Sequence, residues 1–567
     1  MRAHRLQSFA VAAFAAGMAF CGSRSAFASN PLEYPDNGSA SFSRAGAWLA
    51  VANEPIATHY NPAALATQAS GFSIEQQLNF QHVCYARQGP NGAPETATAG
   101  LQYEPACDSR GTFPSTIPSI SLAWRVSKKV GVGLAVVPPA TYGYSKDEWP
   151  ALKPVLNTGT NQIQQGPAPY RYQQLNQLST ILFPTIGVGW EVLPKFRVGA
   201  AFISGISIIN FNVAGTEQTK VGQTADNASL DTLSYLHTKD LFVPGGILSI
   251  HWSPLPNLDI AAWGRWISDA SSTKGDLTVY AQPYNGTYTG LKPLCQLPDR
   301  ASCQSVSPSV TTINNYGNET FRHLDFPFPP EVRLGVRFHS LRSAKEMPKY
   351  VQSVPTNDKP PVRDPLHDDV FDIELDGSYS INKAANTVEV RFADGPDPQG
   401  AFPNGGGIQS VVPVGYIPPN ADKWNGYENS FGLRLGGQWN VVPDKFGIRA
   451  GTWFESQSQD AKWLSITSVG ATRGGFGGGF VFRQDFIDIS IGYQYHWSEG
   501  LDNDGVGAMR AIAGSVATNA MTPPFNVNRD GNVTAANRQQ FRTFNTVNDG
   551  RITQYAHAFT LGGTVRF

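Results

Sequence analysis

Long apolar runs are missing from this chain. Past the amino terminus no stretch of about 18 apolar residues occurs, so no bilayer-spanning helix is expected. Net charge is nearly absent too, at −1 over 567 residues. That removes the basic footprint a nucleic-acid binder needs. No Gly-x-Ser-x-Gly occurs, and no His sits beside a nucleophile at a catalytic spacing, so the chain does not read as an enzyme. His82, His251, His339 and His496 fall on strand patterns as wall or lumen groups. Cysteines number five, none at zinc-finger spacing to a His or a second Cys. What is present is 41% hydrophobic residues, 56 Gly, 41 Pro and 12 Trp, a composition that does not suit disorder.

The first residues read as an export signal: Arg2 and Arg5, an apolar stretch over 9–20, then Ala26-Phe27-Ala28 for cleavage before Ser29. Cys21 would suit a lipoprotein, but Phe20 stands where that needs a small residue. With 1–28 removed, Cys84, Cys107, Cys295 and Cys303 form an even set in an oxidising compartment. Three pairings are open, and proximity favours Cys84 with Cys107 and Cys295 with Cys303.

Residues 555–567 alternate strictly. Phe559, Leu561, Val565 and Phe567 take one parity, and Thr560, Thr564 and Arg566 the other. Such a strand at a chain end leaves an apolar edge unless the sheet closes on itself; a soluble sandwich edge is the plainer alternative. The same period recurs along the chain. Strands are expected at 71–85, 117–126, 130–137, 179–192, 196–212, 241–252, 258–268, 328–340, 369–381, 430–442, 446–459, 465–483, 486–498 and 553–567. Fourteen is even, which puts both ends of the barrel on the periplasmic side. Short and long connections alternate as in outer-membrane barrels, except that 341–368 is long where a short turn belongs and 460–464 short where a long loop belongs. The fold class expected is all-β, a 14-stranded antiparallel transmembrane β-barrel over 71–567.

The polar parity includes Arg333, Arg337 and Arg434. Turned outward, each would cost roughly 2–4 kcal/mol near the bilayer midplane, so register is set. Asp372, Glu374 and Asp376 share that parity between them and are expected to pair with those arginines across the strands, as a lattice or as an ion-selective constriction.

Residues 29–70 do not alternate. They are rich in small residues, with Trp48, Leu49, Val51, Ile56 and Leu65 too apolar for a solvated tail, and Asn61-Pro62 marks a turn. A partly helical plug inside the lumen is the expectation. Arg44-Ala45, the small-residue run through Gly46 to Ala52, and Asn61-Pro62-Ala63 with Leu65 resemble the plug of the FadL-like outer-membrane transporters of long-chain fatty acids and aromatic hydrocarbons. Pro184, Pro329-Pro330-Glu331 and the terminal Phe567 support the resemblance, while Ser43 stands where that family has Gly. The resemblance implies capture of an apolar ligand at the outer loops, a plug that shifts, and sideways release at a kink in the third strand. Pro138-Pro139 would supply that kink, since neither gives a ladder donor, or they simply begin a loop.

Two loop motifs complete the reading. Residues 226–237 place Leu230, Leu233, Tyr235 and Leu236 at helical spacing, an amphipathic helix that buries its face or offers it to a ligand. Residues 526–537 place Asn526, Asn528, Asp530 and Asn532 in the order of a calcium loop, though Asn537 replaces the bidentate Glu; an Asx-rich turn is the plainer reading. The expected partners are a hydrophobic small molecule and outer-membrane lipid, for a monomer without a required cofactor. A slow porin for polar solutes is the alternative.

Overall fold

The computed structural model describes residues 37–89, 96–97, 101–108, 115–139, 144–147, 149, 152–175, 177–216, 231–272, 274–281, 284–285, 292–293, 310–314, 321–342, 363–392, 408–409, 416–417, 423–509 and 547–567. Fourteen antiparallel strands form one wall: β1 (Gly71–Arg87), β2 (Ser115–Arg125), β3 (Val130–Val137), β4 (Gln177–Leu193), β5 (Phe196–Thr216), β6 (Asp231–Leu255), β7 (Leu258–Ile267), β8 (Glu331–Leu341), β9 (Asp369–Ser380), β10 (Ser430–Val442), β11 (Phe446–Glu455), β12 (Arg473–Gln484), β13 (Ile487–Ser498) and β14 (Gly550–Arg566). Each pairs with the next, and β14 pairs with β1 from Gly71↔Arg566 to Arg87↔Gly550. The sheet is closed, and its last apolar edge is used up. The Phe567 N–H donates to Ser70 O, and its ring meets Trp124.

Alternation assigns the faces as expected. On β8, Val332, Leu334, Val336 and Phe338 are exposed while Arg333, Arg337 and His339 are buried. On β13, Ile487, Ile489, Ile491 and Trp497 point out, and Asp488, Ser490, Gln494 and His496 point in. An outer face of Ile, Leu, Phe and Trp around a closed cylinder has no partner in the chain itself; a bilayer satisfies it. No described helix is long and apolar enough to cross a membrane.

Boundaries differ from expectation where tertiary pairing overrides the local pattern. Residues 231–237, the described part of that motif, do not form a helix. Asp231 opens β6, and Leu233, Tyr235 and Leu236 pair with Ala214, Asn212 and Phe211 of β5 in a tall hairpin. A partner strand supplies every ladder bond, which outweighs helical spacing over three turns. β11 ends at Glu455 and β12 begins at Arg473, so the short outer connection of the sequence pattern is a folded loop with a 3₁₀ turn at Ala461–Trp463. Pro184 lies inside β4. Cys84 and Cys107 form a disulfide, S–S 2.02 Å. Residues 1–36, Leu230, Cys295, Cys303 and the 526–537 motif with Asn526, Asn528, Asp530 and Asn532 lie outside the described residues.

At the long-loop end, Tyr85, Trp149, Tyr170, Leu175, Leu464, Ile466, Leu501 and Ile552 form one buried cluster. Arg171 is buried among them and donates to the hydroxyls of Tyr103 (3.1 Å) and Tyr172 (2.9 Å). Four loops therefore pack into a single cap.

Candidate functional site

Residues 37–66 are almost wholly buried and touch inward-facing groups on both sides of the barrel. They contain α1 (Ser39–Ser43), α2 (Ala57–Tyr60) and a 3₁₀ turn at Pro62–Ala66. Gly46 has φ 85°, a left-handed conformation that glycine adopts without strain. The Asn61 side chain donates to Leu49 O at 2.8 Å, tying the middle of the segment to its last turn, and Pro62 opens the 3₁₀ turn.

Glycine-lined wall makes this approach sterically feasible. A Cβ at Gly131 would meet Leu65 O, one at Gly189 Pro62 O, and one at Gly199 the Ala63 nitrogen. Across the barrel, a Cβ at Gly436 or Gly451 would meet Arg44 O, and one at Gly479 or Gly492 the Ser43 hydroxyl. Between these bare patches the segment rests on wall backbone, and Ala63 N–H donates to Ser249 Oγ at 2.9 Å. The β-strand period alone does not reveal such patches, because each glycine reads as an ordinary inward position.

The acidic face of β9 does something the sequence pattern missed. Asp376 accepts from the N–H groups of Trp48 (3.0 Å) and Leu49 (3.1 Å), and Glu374 from those of Ala50 (2.5 Å) and Val51 (3.1 Å). Arg44 reaches Asp372 at 2.6 Å and Glu374 at 3.4 Å. Of the cross-strand pairings expected, Arg337–Asp372 is present at 3.1 Å. Arg434 bonds Glu455 (2.9 Å) and Arg333 bonds Glu331 (2.7 Å) instead. Four consecutive N–H groups in a tight turn attract carboxylates as a helix start does, and no strand pattern announces that turn.

Part of the lumen wall is apolar. Ile181 and Phe183 of β4, Ile203 of β5, Val243 and Ile247 of β6, and Trp263 of β7 pack with Phe328 and with Leu49 and Ala50 of the segment. Phe183 lies edge-on to Phe328 (5.4 Å between centroids), and the His59 ring stacks near Phe183 at 6.2 Å. His59 Nδ1 is 3.0 Å from Thr185 Oγ1.

Beside this lining the wall is interrupted. β3 ends at Val137, and Pro138 and Pro139 are buried beyond it. The strand resumes as Tyr144–Asp147 on the same neighbour. Phe183 pairs Val137 and Thr180 pairs Tyr144, so residues 181 and 182 of β4 are all that separates the two pairings. Pro138 O accepts from the Asn37 side chain.

This fold has counterparts among known proteins. A Pseudomonas aeruginosa FadL homologue superposes with TM-score 0.58 at 13% identity, over 96% of this chain and 100% of the other. The fold is that of a FadL homologue. The toluene transporter TodX of P. putida superposes with TM-score 0.52 at 11% identity, over 95% of this chain and 99% of TodX. No protein-family model and no curated protein matches the sequence.

Proposed function

We propose that this protein is an outer-membrane barrel of a Gram-negative cell, acting as a single chain, that takes up hydrophobic small molecules such as long-chain fatty acids or similar hydrocarbons. The observation that carries this reading is the inward-facing apolar lining of Ile181, Phe183, Ile203, Val243, Ile247 and Trp263. Barrel lumens that pass polar solutes are lined by polar groups, and an apolar lining offers about 25 cal/mol per Å² to an apolar guest. The fold shared with a protein described as a toluene transporter supports the same choice.

In this reading the amino-terminal segment is a plug, held by Arg44 and the β9 carboxylates, whose shift exposes the lining. The interruption at Pro138-Pro139 is the sideways exit, and capture occurs at the outer loops. The lumen charges do not favour polar diffusion, because Asp372, Glu374 and Asp376 are engaged with the segment and with Arg337. The test is uptake into proteoliposomes of a labelled long-chain fatty acid, of toluene and of glucose. Either apolar probe should enter faster than in protein-free vesicles, and Phe183→Asp should abolish the difference. Glucose entering as fast as the apolar probes would overturn the proposal in favour of a porin.

A further inference from the structure

The long turn between β8 and β9 ends in an arrangement that the amino-terminal segment does not explain. Its last residues, 363–368, do not hang below the barrel. Arg363 Nη1 lies 2.7 Å from Asp259 of β7, and its other terminal nitrogen contacts His339 of β8. The adjacent Asp364 points the other way. Its carboxylate takes Arg483 of β12 through both oxygens (2.5 and 3.2 Å) and Arg566 of β14 at 3.3 Å. Asp488 of β13 bonds those same two arginines at 2.6 Å each. The α3 turn (Pro365–Asp368) follows, capped by Asp364 Oδ1 on Leu366 N–H. Asn440 of β10 donates to Pro365 O at 2.6 Å, His367 Nδ1 lies 2.8 Å from Asp444, and buried Leu366 sits against Gly447 of β11.

In a closed ring of fourteen strands, β7 and β14 are seven apart, on opposite sides. Two consecutive residues that reach both walls must cross the axis. Their partners also mark the level: Asp444 is in the β10–β11 turn, Arg483 precedes the β12–β13 turn, and Arg566 ends β14. All belong to the short-turn end, below the amino-terminal segment.

We infer that residues 363–368 form a floor across the short-turn end of the barrel, a second axial barrier in series with the amino-terminal segment. Displacing the segment alone then opens no straight path. An apolar molecule that reaches this level meets ion pairs already satisfied by one another, with nothing to offer them, so it does not leave along the axis while Asp364 is paired. That an apolar molecule is the cargo rests on the uptake reading; the floor itself rests on the ion pairs.

The test uses full-length protein in planar bilayers. Gly189→Val displaces the segment, and Arg363→Gln with Asp364→Asn loosens the floor. Each alone should stay silent, and the combination should give stable conductance steps. Conductance from Gly189→Val alone as large as from the combination would overturn the floor. Because Gly189→Val carries the risk of misfolding, a second readout uses Ser490→Cys, a lumen position that contacts Arg449. A membrane-impermeant maleimide added from the short-turn side should label it about tenfold faster once Arg363 and Asp364 are replaced, the opening expected from losing a charge-assisted hydrogen bond. An unchanged rate would refute the barrier. If both readouts follow the floor but no apolar probe is taken up, the uptake reading fails and the floor stands.

Discussion

Arg44 shows how much can depend on one side chain. It is buried, and its guanidinium lies between Asp372 and Glu374 while Nε donates to Ala47 O at 2.8 Å. Arg44→Ala leaves Glu374 in a dry site with only the Ala50 and Val51 N–H groups and Asp372 with Arg337 alone, a loss of roughly 3–5 kcal/mol by analogy with other broken buried pairs. The urea midpoint of detergent-folded protein should fall accordingly, and Arg44→Lys should recover only part of it, because an ammonium cannot serve both carboxylates and Ala47 O in one plane. Gly189 acts by what it lacks. Valine there drives its branches into Pro62 O and Ala63 O, and overpacking of this kind costs about 1–3 kcal/mol. The strain falls on the segment rather than the wall, so the expected outcome is a barrel that still resists heat in a gel but whose residues 37–66 are cut by protease. A segment that remains protected would show that the bare wall is not what admits it.

At the scale of elements, the floor and the plug candidate are held by different carboxylates. The floor is an ionic lattice around Asp364. Burial alone would push its carboxyl up, but Arg566 and Arg483 outweigh that and hold it well below the usual carboxylate range. A carboxylate depressed in the folded state contributes stability above its unfolded value of about 3.9 and loses it as pH falls through the folded value. Other groups face it: Asp488, Asp444, His367 and Asp368. Hydrogen-exchange protection of residues 363–369, corrected for intrinsic rate, should therefore stay flat from neutral pH down to about 4 and fall only in stronger acid. A loss of protection already near pH 6 would overturn Asp364 as the group that holds the floor. The β5–β6 hairpin carries a different lesson. Leu233, Tyr235 and Leu236 satisfy a helix template, yet strand pairing claims them because β5 offers a partner along its whole length. Element type over a short window was therefore legible only with its neighbour in place.

For the whole molecule, the lumen wall carries two kinds of contact: an ionic network that runs from Asp259 of β7 through β8 to β14, and an aliphatic and aromatic cluster on β4 to β7. The outside is apolar throughout. Leu248 is 71% exposed there, and Leu248→Lys should cost about 2–4 kcal/mol if that position lies near the bilayer midplane. Folding efficiency into vesicles of defined thickness measures it. A lysine tolerated without loss would place Leu248 outside the membrane band.

The alternation of residues determined, without any coordinates, that the chain makes fourteen strands, which face of each meets lipid, and that Arg333, Arg337 and Arg434 turn inward. It could do so because strand geometry repeats every two residues, and the penalty for a charge in lipid leaves one register. The proximity of Cys84 and Cys107 likewise pointed to their bridge. What the tertiary structure alone decided is which inward groups meet. Cross-strand neighbours in the ladder are the natural partners on pattern alone, yet Glu374 and Asp376 grip backbone N–H groups more than 320 residues away in sequence rather than the arginines beside them. The glycine patches and the crossing of Asp364 to β14 arise the same way. They depend on closure of the ring, which brings together residues that no local period relates.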